Sequence, residues 1–396
     1  MIRNVLDNIK AFSKTNKKYG EYLFFIVFIC YLITQYSLGT TLYSDYAYSS
    51  LPYRIFMIIS VLVVFKIIFF NTTDELKNMI IYILIGIIIW IGCFNARAYD
   101  IFYYYLFIVA AKKIDFKKIV EIFVIVIIFS LLITVVASKF GFLLSLTNSR
   151  GWGDPGIRYA LGTIYPTDLA ARTFYLQLMY VSVRKFRLTF PEYIAGFSFS
   201  IMMYIITDTR VDFILMIATL LGALSYKYIV SFLEFLGTKI LIVSGVIATF
   251  GMIILTYLYT SRVGALRILD KILSMRLKNG HEAFEKYNVT MAGQYIFQQG
   301  NGGVHNGMFH YFFIDCTFVR VLMMNGLITF MFFMGSLCYI LNRFMKYKAY
   351  SLVIVLVLIV ISSLIDHHMT EMSFNIIFLA MFANIDYFKD NSRSWI

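Results

Sequence analysis

Long, almost uncharged apolar blocks separated by short polar junctions run through nearly the whole chain, and that pattern excludes most ways of folding it. The blocks cover residues 22–38, 51–70, 79–94, 99–111 and 119–137, then a more polar 161–183. They resume at 193–207, 213–226, 240–259, 318–341, 350–365 and 373–387. About 20 apolar residues in a helix cross the hydrocarbon core of a bilayer, and a helix is the one single-segment structure that satisfies its own backbone there. The block at 99–111 is short and draws on its flanks to cross. Composition agrees, with 60% hydrophobic and 14% charged residues where soluble chains have about half and a quarter. The expectation is an all-α, polytopic transmembrane helical bundle of about twelve spans. It forms a single membrane domain over residues 1–396, with a large, partly helical extracytoplasmic loop at 260–316 between spans nine and ten.

The basic start (Arg3, Lys10, Lys14, Lys17, Lys18) runs into the first block without a small-residue cleavage pattern, which reads as a signal anchor. Cys30, Cys93, Cys316 and Cys338 lie in or beside apolar blocks and form no C-x-x-C, so they read as packing residues. A net charge of +13 in so apolar a chain points to anionic lipid or an anionic substrate, with no nucleic acid as partner.

The positive-inside rule fixes sidedness. With a cytoplasmic N-terminus, the inner segments hold Lys66 and Lys77, Lys112/Lys113/Lys117/Lys118, Arg184/Lys185/Arg187, Lys227 and Lys239, Arg343/Lys346/Lys348, and Lys389/Arg393. Both termini are then cytoplasmic. The outer set differs in kind. It has four lysines (Lys139, Lys271, Lys278, Lys286) against ten arginines: Arg54, Arg97, Arg150, Arg158, Arg172, Arg210, Arg262, Arg267, Arg276 and Arg320. Guanidinium binds phosphate in a bidentate fork and stays charged when half-buried, so the set points to an outward-facing phosphate or diphosphate site. For any single one of them, a headgroup contact or a bundle salt bridge is an equal reading.

Within the large loop, Val263, Leu266, Leu269, Ile272 and Leu273 fall on one helical face, with Arg267, Lys271 and Arg276 elsewhere on the wheel. This predicts an amphipathic surface helix over 262–277, with Asn279-Gly280 as its stop. Gly300-Asn301-Gly302-Gly303 is a flexible hinge or a close approach to ligand. All five histidines (His281, His305, His310, His367, His368) fall outside, where they can act as acid or base. A metal site is not expected. His305 and His310 are five apart, the rings of His367-His368 would diverge on a helix, and no H-E-x-x-H occurs. No cofactor is expected either.

Inside the spans, Asp168 and Arg172 stand one helical turn apart and can pair, either as a functional site or as a structural salt bridge. Tyr165-Pro166 before them predicts a kink or break. In the short turn Thr207-Asp208-Thr209-Arg210-Val211-Asp212 the two acids can neutralise Arg210. Asp315 follows the apolar run 311–314 at the mouth of the next block.

Several of these segments, in this order, resemble the Wzy-type polysaccharide polymerases, relatives of the O-antigen ligases. Arg158-Tyr159-Ala160-Leu161-Gly162-Thr163-Ile164-Tyr165-Pro166 is similar to that family's R-(Y/H)-S-L-G-F-x-H-P-N segment. Thr209-Arg210 sits where Ser-Arg is common. Arg276 with Glu282-Ala283 and Gly293-Gln294 resembles the large-loop motif, and His305-Asn306 resembles the H-N of the ligase-like group. Ile314-Asp315 with Asn325-Gly326-Leu327-Ile328 is similar to the D-N-x-Y…G-L-I that leads into the following helix. The motifs are loose and run from about Arg150 to Ile328. Thr167 and Cys316 depart from them, each standing where an asparagine is usual.

The resemblance implies a GT-C-like, metal-independent glycosyltransferase of the bacterial cytoplasmic (inner) membrane, in exopolysaccharide, capsule or O-antigen biosynthesis. It would transfer a growing glycan from undecaprenyl or another polyprenyl diphosphate to a fresh lipid-linked repeat unit. Its partners would be lipid-linked donor and acceptor, membrane lipid, a chain-length regulator and a flippase. Arg158, Arg172, Arg210, Arg262 and Arg276 would hold the diphosphate, whose departing charge fixed guanidiniums stabilise. His305, His310 or Asp315 would take the acceptor proton, with Asp168 and Asp212 in support. The alternatives are a ligase-like glycan transferase and a lipid-linked oligosaccharide flippase or secondary transporter. A transporter would show repeated halves and midplane charges, whereas here no repeat is evident and the polar residues crowd the outer side.

Overall fold

In the apolar blocks the backbone has no partner but itself, and the computed structural model accordingly folds them as helices. It describes residues 12–13, 15–45, 50–71, 76–148, 156–300 and 311–390. The first helices are α1 (Lys17–Leu38), α2 (Leu51–Phe70), α3 (Leu76–Ala96), α4 (Asp100–Ala110) and α5 (Phe116–Lys139). A two-residue antiparallel ribbon, β1 (Thr147–Asn148) with β2 (Arg158–Tyr159), leads into α6 (Pro166–Val183). Then follow α7 (Phe190–Thr207), α8 (Arg210–Leu224), α9 (Tyr226–Tyr257), α10 (Gly264–Ile272), α11 (Arg276–Lys286), α12 (Thr317–Lys346) and α13 (Tyr350–Ser363).

Seven of these helices (α1, α2, α3, α5, α7, α9 and α12) are long and apolar enough to cross a membrane, while α4 and α13 are shorter apolar helices. The outer helices turn bare apolar side chains away from the bundle, for instance Met57, Ile58 and Val61 on α2 and Ile83, Leu84 and Ile87 on α3. A soluble protein does not expose so large an apolar surface. The chain is thus mostly helical and membrane-embedded.

The inner layer is α6 and α13. Helix α6 packs against α5, α7, α8 and α13 and is buried nearly all round, which explains its polarity. Where neighbours are protein, polar side chains can pair across helices. Gln177 Nε2 donates to the Met216 carbonyl at 3.0 Å, and Ser200 Oγ donates to Gln177 Oε1 at 3.2 Å. The break expected at Tyr165-Pro166 is the start of α6, where the proline occupies the first turn without needing a donor.

The last apolar block is not the helical span its composition predicts. Residues 373–387 form short 3-10 turns, Ile377–Met381 buried against α4 and α12 and Asp386–Phe388 packed on α5 and α13. Such backbone survives in an apolar setting only when protein satisfies it. Arg343 of α12 donates to the carbonyls of Ala380, Met381 and Ala383, Asn375 Oδ1 accepts from Ile377 N–H at 3.0 Å, and residues 382–384 bond to Lys113, Ile114 and Phe116. Arg343 therefore does structural work beyond its topogenic charge.

Two further expectations change in the large loop. The amphipathic helix is two helices, α10 and α11, broken at Ser274 and Met275, both of positive φ. Asp270 Oδ1 accepts from Leu277 and Lys278 N–H at 2.9 and 3.1 Å and so caps the restart. Asn279-Gly280 does not stop a helix. It lies inside α11, where Gly280 lets the helix meet α9, because an added Cβ would fall 2.6 Å from Thr256 Cγ2. Beyond α11, the return segment docks on a π turn in α12 (Val321–Asn325), with Gln294 N–H bonding the Met324 carbonyl at 2.8 Å. Gly293 and Gly326, at φ 86° and 87°, form that contact: a side chain on Gly326 would strike the backbone of Gly293 and Met291, and one on Gly293 that of Gly92 and Met324.

Candidate functional site

The charged residues of the bundle gather where the ends of α6, α8 and α12, the start of α11 and residues 366–371 meet. The fold ties that last segment down: Thr317 N–H and Oγ1 both donate to the Asp366 carbonyl, at 3.1 and 2.6 Å. Two linked groups result.

The first joins the loop to α12. Arg276 Nη1 pairs with Asp315 Oδ2 at 2.7 Å, and Tyr311 Oη donates to the same oxygen at 3.4 Å. Asp315 is buried, while the Arg276 side chain keeps about a fifth of its surface exposed (20%) and its Nε has no hydrogen-bond partner among the described residues. Beside it, Gln298 Oε1 accepts from Ile314 N–H and from Arg320 Nη1, both at 3.0 Å, and the Arg320 guanidinium lies over Phe313. Burial pushes the Asp315 pKa up, and Arg276 only partly offsets it.

The second group is centred on His368, whose side chain is 3% exposed. His368 Nε2 lies 3.5 Å from Asp168 Oδ1 and from Asp366 Oδ1, and its Nδ1 lies 3.6 Å from Glu371 Oε1. His367 turns Nδ1 to Asp366 Oδ1 at 3.3 Å and Nε2 to Glu371 Oε1 at 3.6 Å. The Phe374 ring stacks on His368, and Phe313 meets His367 edge-on at 5.0 Å, which links the two groups. Burial opposes charge on His368, Asp366 and Glu371, yet the surrounding carboxylates, Asp366 foremost, raise the pKa of His368 well above that of free imidazole. In return Glu371 falls to about 2, and Asp366 is likewise held low.

Several sequence expectations are redrawn here. Asp168 and Arg172 do not form an ion pair: Asp168 turns to His368. Arg172 is 1% exposed and sandwiched between the rings of Tyr36 and Phe374, 4.2 Å from each, with Nε and Nη1 lacking hydrogen-bond partners among the described residues. Arginine prefers such a stacked site because its planar charge is weakly hydrated. Arg158 braces the turn before α8, donating to the Thr207 carbonyl and Thr209 Oγ1 at 2.8 and 3.2 Å. In that turn Asp212 is buried while Arg210 is exposed, so the two part company at the helix start. Asp212 instead faces Asp366 and His368. Arg262 sits in the exposed turn before α10, and no contact among the described residues ties it or Arg210 to the two groups. His305 and His310, with Arg150 and most of the 300–303 run, lie outside the described residues.

The rings of His367 and His368 do not diverge, because residues 366–371 are not an α-helix; their centroids are 4.2 Å apart. One donor atom each from Asp366, His367 and His368 lie within 4.8 Å of one another, so the spacing argument against a metal fails at this position. Asp366, Glu371 and Arg320 were not singled out from sequence. The signal was the density of Asp366-His367-His368 and Glu371 between two apolar blocks. Comparison of the chain with protein-family models, with curated proteins and with solved structures finds no match.

Proposed function

We propose that the protein is a polysaccharide polymerase that joins lipid-diphosphate-linked repeat units, with Arg276 stabilising the departing diphosphate and Asp315 accepting the acceptor's proton. On this reading the chain is a multi-span protein of the bacterial cytoplasmic membrane, with block 373–387 packed inside as 3-10 turns and not as a twelfth span, in a GT-C-like arrangement with the 260–316 loop outside. The observation that carries it is the Arg276–Asp315 pair, a guanidinium with one donor still open beside a carboxyl whose proton affinity burial has raised. In the reaction the acceptor hydroxyl oxygen forms a bond to the donor's anomeric carbon. The bond from that carbon to the diphosphate breaks, the hydroxyl proton passes to Asp315, and the electron pair leaves with the diphosphate beside Arg276. The exposed Arg210 and Arg262 add attraction for the anionic substrate.

Apolar cavities within the bundle suit a polyprenyl chain. One of about 340 Å³ lies between α2, α3 and α4. A second, of about 280 Å³ between α3, α4 and α12, reaches Thr370, the neighbour of Glu371.

Purified protein given lipid-diphosphate repeat units is expected to lengthen them. Asp315→Asn is expected to lower the rate by about 10²–10⁴-fold, and Arg276→Lys to abolish elongation because lysine lacks the fork. Elongation unchanged in both variants refutes the assignment. Transfer to an acceptor other than a repeat unit would make the protein a ligase, and transport of repeat units without transfer would make it a flippase.

A further inference from the structure

The His367–His368 pair is arranged as metal ligands are, with the two nitrogens of each ring given different partners. His367 Nδ1 and His368 Nε2 both face Asp366 Oδ1, at 3.3 and 3.5 Å, and His368 Nε2 also faces Asp168 Oδ1 at 3.5 Å. The opposite nitrogens, His367 Nε2 and His368 Nδ1, both face Glu371 Oε1 at 3.6 Å. These distances are too long for good hydrogen bonds, and neither histidine Nδ1 has a hydrogen-bond partner among the described residues. The 3.3–3.5 Å separations among the near atoms approach three edges of a coordination tetrahedron, in which ligand atoms 2.0–2.1 Å from a zinc-sized ion stand about 3.3–3.4 Å from each other. A carboxylate on the far nitrogen of each ring is the usual support of a metal-bound histidine, since it fixes the tautomer and aims the near lone pair.

Asp168, Asp366 and Glu371 surround the rings with acceptor oxygens. The guanidiniums of Arg172 and Arg320 face Glu371, and that of Arg276 faces Asp366 as well as Asp315.

We propose that Asp366, His367, His368 and Asp168 form a binding site for one divalent transition-metal ion of the zinc class, with Glu371 orienting both rings. Two imidazoles and two carboxylates suit such an ion. Four protein donors close its coordination sphere, which makes the site structural and not catalytic. The ion clasps residues 366–371, which have little helical bonding of their own, to the first turn of α6. It leaves the leaving-group chemistry to the arginines, so this inference stands or falls independently of the polymerase reading.

The test is metal binding by the full chain, purified in detergent without a histidine tag and stripped with chelator. Titration with Co²⁺ is expected to give one saturable equivalent with the visible absorption of a tetrahedral site, displaced by Zn²⁺. Asp366→Asn and Asp168→Asn are expected to abolish that band, and Glu371→Gln to weaken affinity about 10–100-fold. If the Asp variants do not fold, the wild-type titration and Glu371→Gln decide. No saturable equivalent at micromolar Co²⁺ or Zn²⁺ in the wild type overturns the proposal. Unchanged affinity in Glu371→Gln, or binding that persists in folded Asp variants, also overturns it.

Discussion

Gly280→Ala offers a sharp test of the loop's docking on the bundle, because the structure gives opposite signs to its effect in two backgrounds. Alanine in a helix interior is favoured over glycine by about 1 kcal/mol, so the change should stabilise α11 if nothing stood in its way. The new Cβ, however, would lie 2.6 Å from Thr256 Cγ2, where carbon atoms need about 3.5–4.0 Å. The threonine methyl cannot swing aside freely, since Oγ1 donates to the Met252 carbonyl at 2.8 Å and holds the rotamer. Helix α11 must therefore back away from α9 by about 1 Å, an overpacking cost of about 1–3 kcal/mol. The net expectation is a loss of about 0–2 kcal/mol. Thr256→Ser removes the offending methyl, and the remaining Cβ and Oγ1 positions are 3.9 Å from the new carbon, an ordinary contact. In that background Gly280→Ala should stabilise by about 1 kcal/mol.

The assay is a double-mutant cycle by thermal unfolding in detergent, at fixed detergent and protein concentration, with coupling of about 1–3 kcal/mol expected. Chain elongation gives a second readout, because Arg276 lies one turn before Gly280 and a displacement of about 1 Å at a reacting group costs about 10²-fold in rate. If Gly280→Ala has the same sign and size in both backgrounds, the close packing of α11 on α9 is wrong.

Two further expectations concern buried arginines. Arg343→Met should leave the carbonyls of Ala380, Met381 and Ala383 without their donor, at about 1–3 kcal/mol for each one left unsatisfied. It should lower the melting temperature and speed proteolysis of the C-terminal segment; unchanged melting would show that those carbonyls find other partners. Arg172→Lys keeps the charge but not the plane that lies between Tyr36 and Phe374, and should lower stability by about 0.5–2 kcal/mol. Equal stability would mean that charge alone, and not stacking, is what this position requires.

The apolar blocks settled the fold class before any tertiary information, because in hydrocarbon a backbone can bond only to itself and a long apolar block therefore becomes a helix. They also marked α6 as the odd helix, through Asp168 and Arg172, and the loop at 260–316 as one that folds. Periodicity could not say what those polar residues would meet. Asp168 and Arg172 are one turn apart, yet one found His368 and the other two aromatic rings, since pairing is decided by neighbours from residues 36 and 366–374 that no local pattern brings near. Block 373–387 reads as a span by composition and is held as 3-10 turns by Arg343, a residue more than thirty positions earlier in the chain. Gly280 looked like a helix stop and proved to be a contact, a distinction that rests on where Thr256 lies. Sequence set which blocks are apolar and which residues are available to a site. Only packing decided which of them face one another, because burial, pairing and close approach are properties of segments distant in sequence.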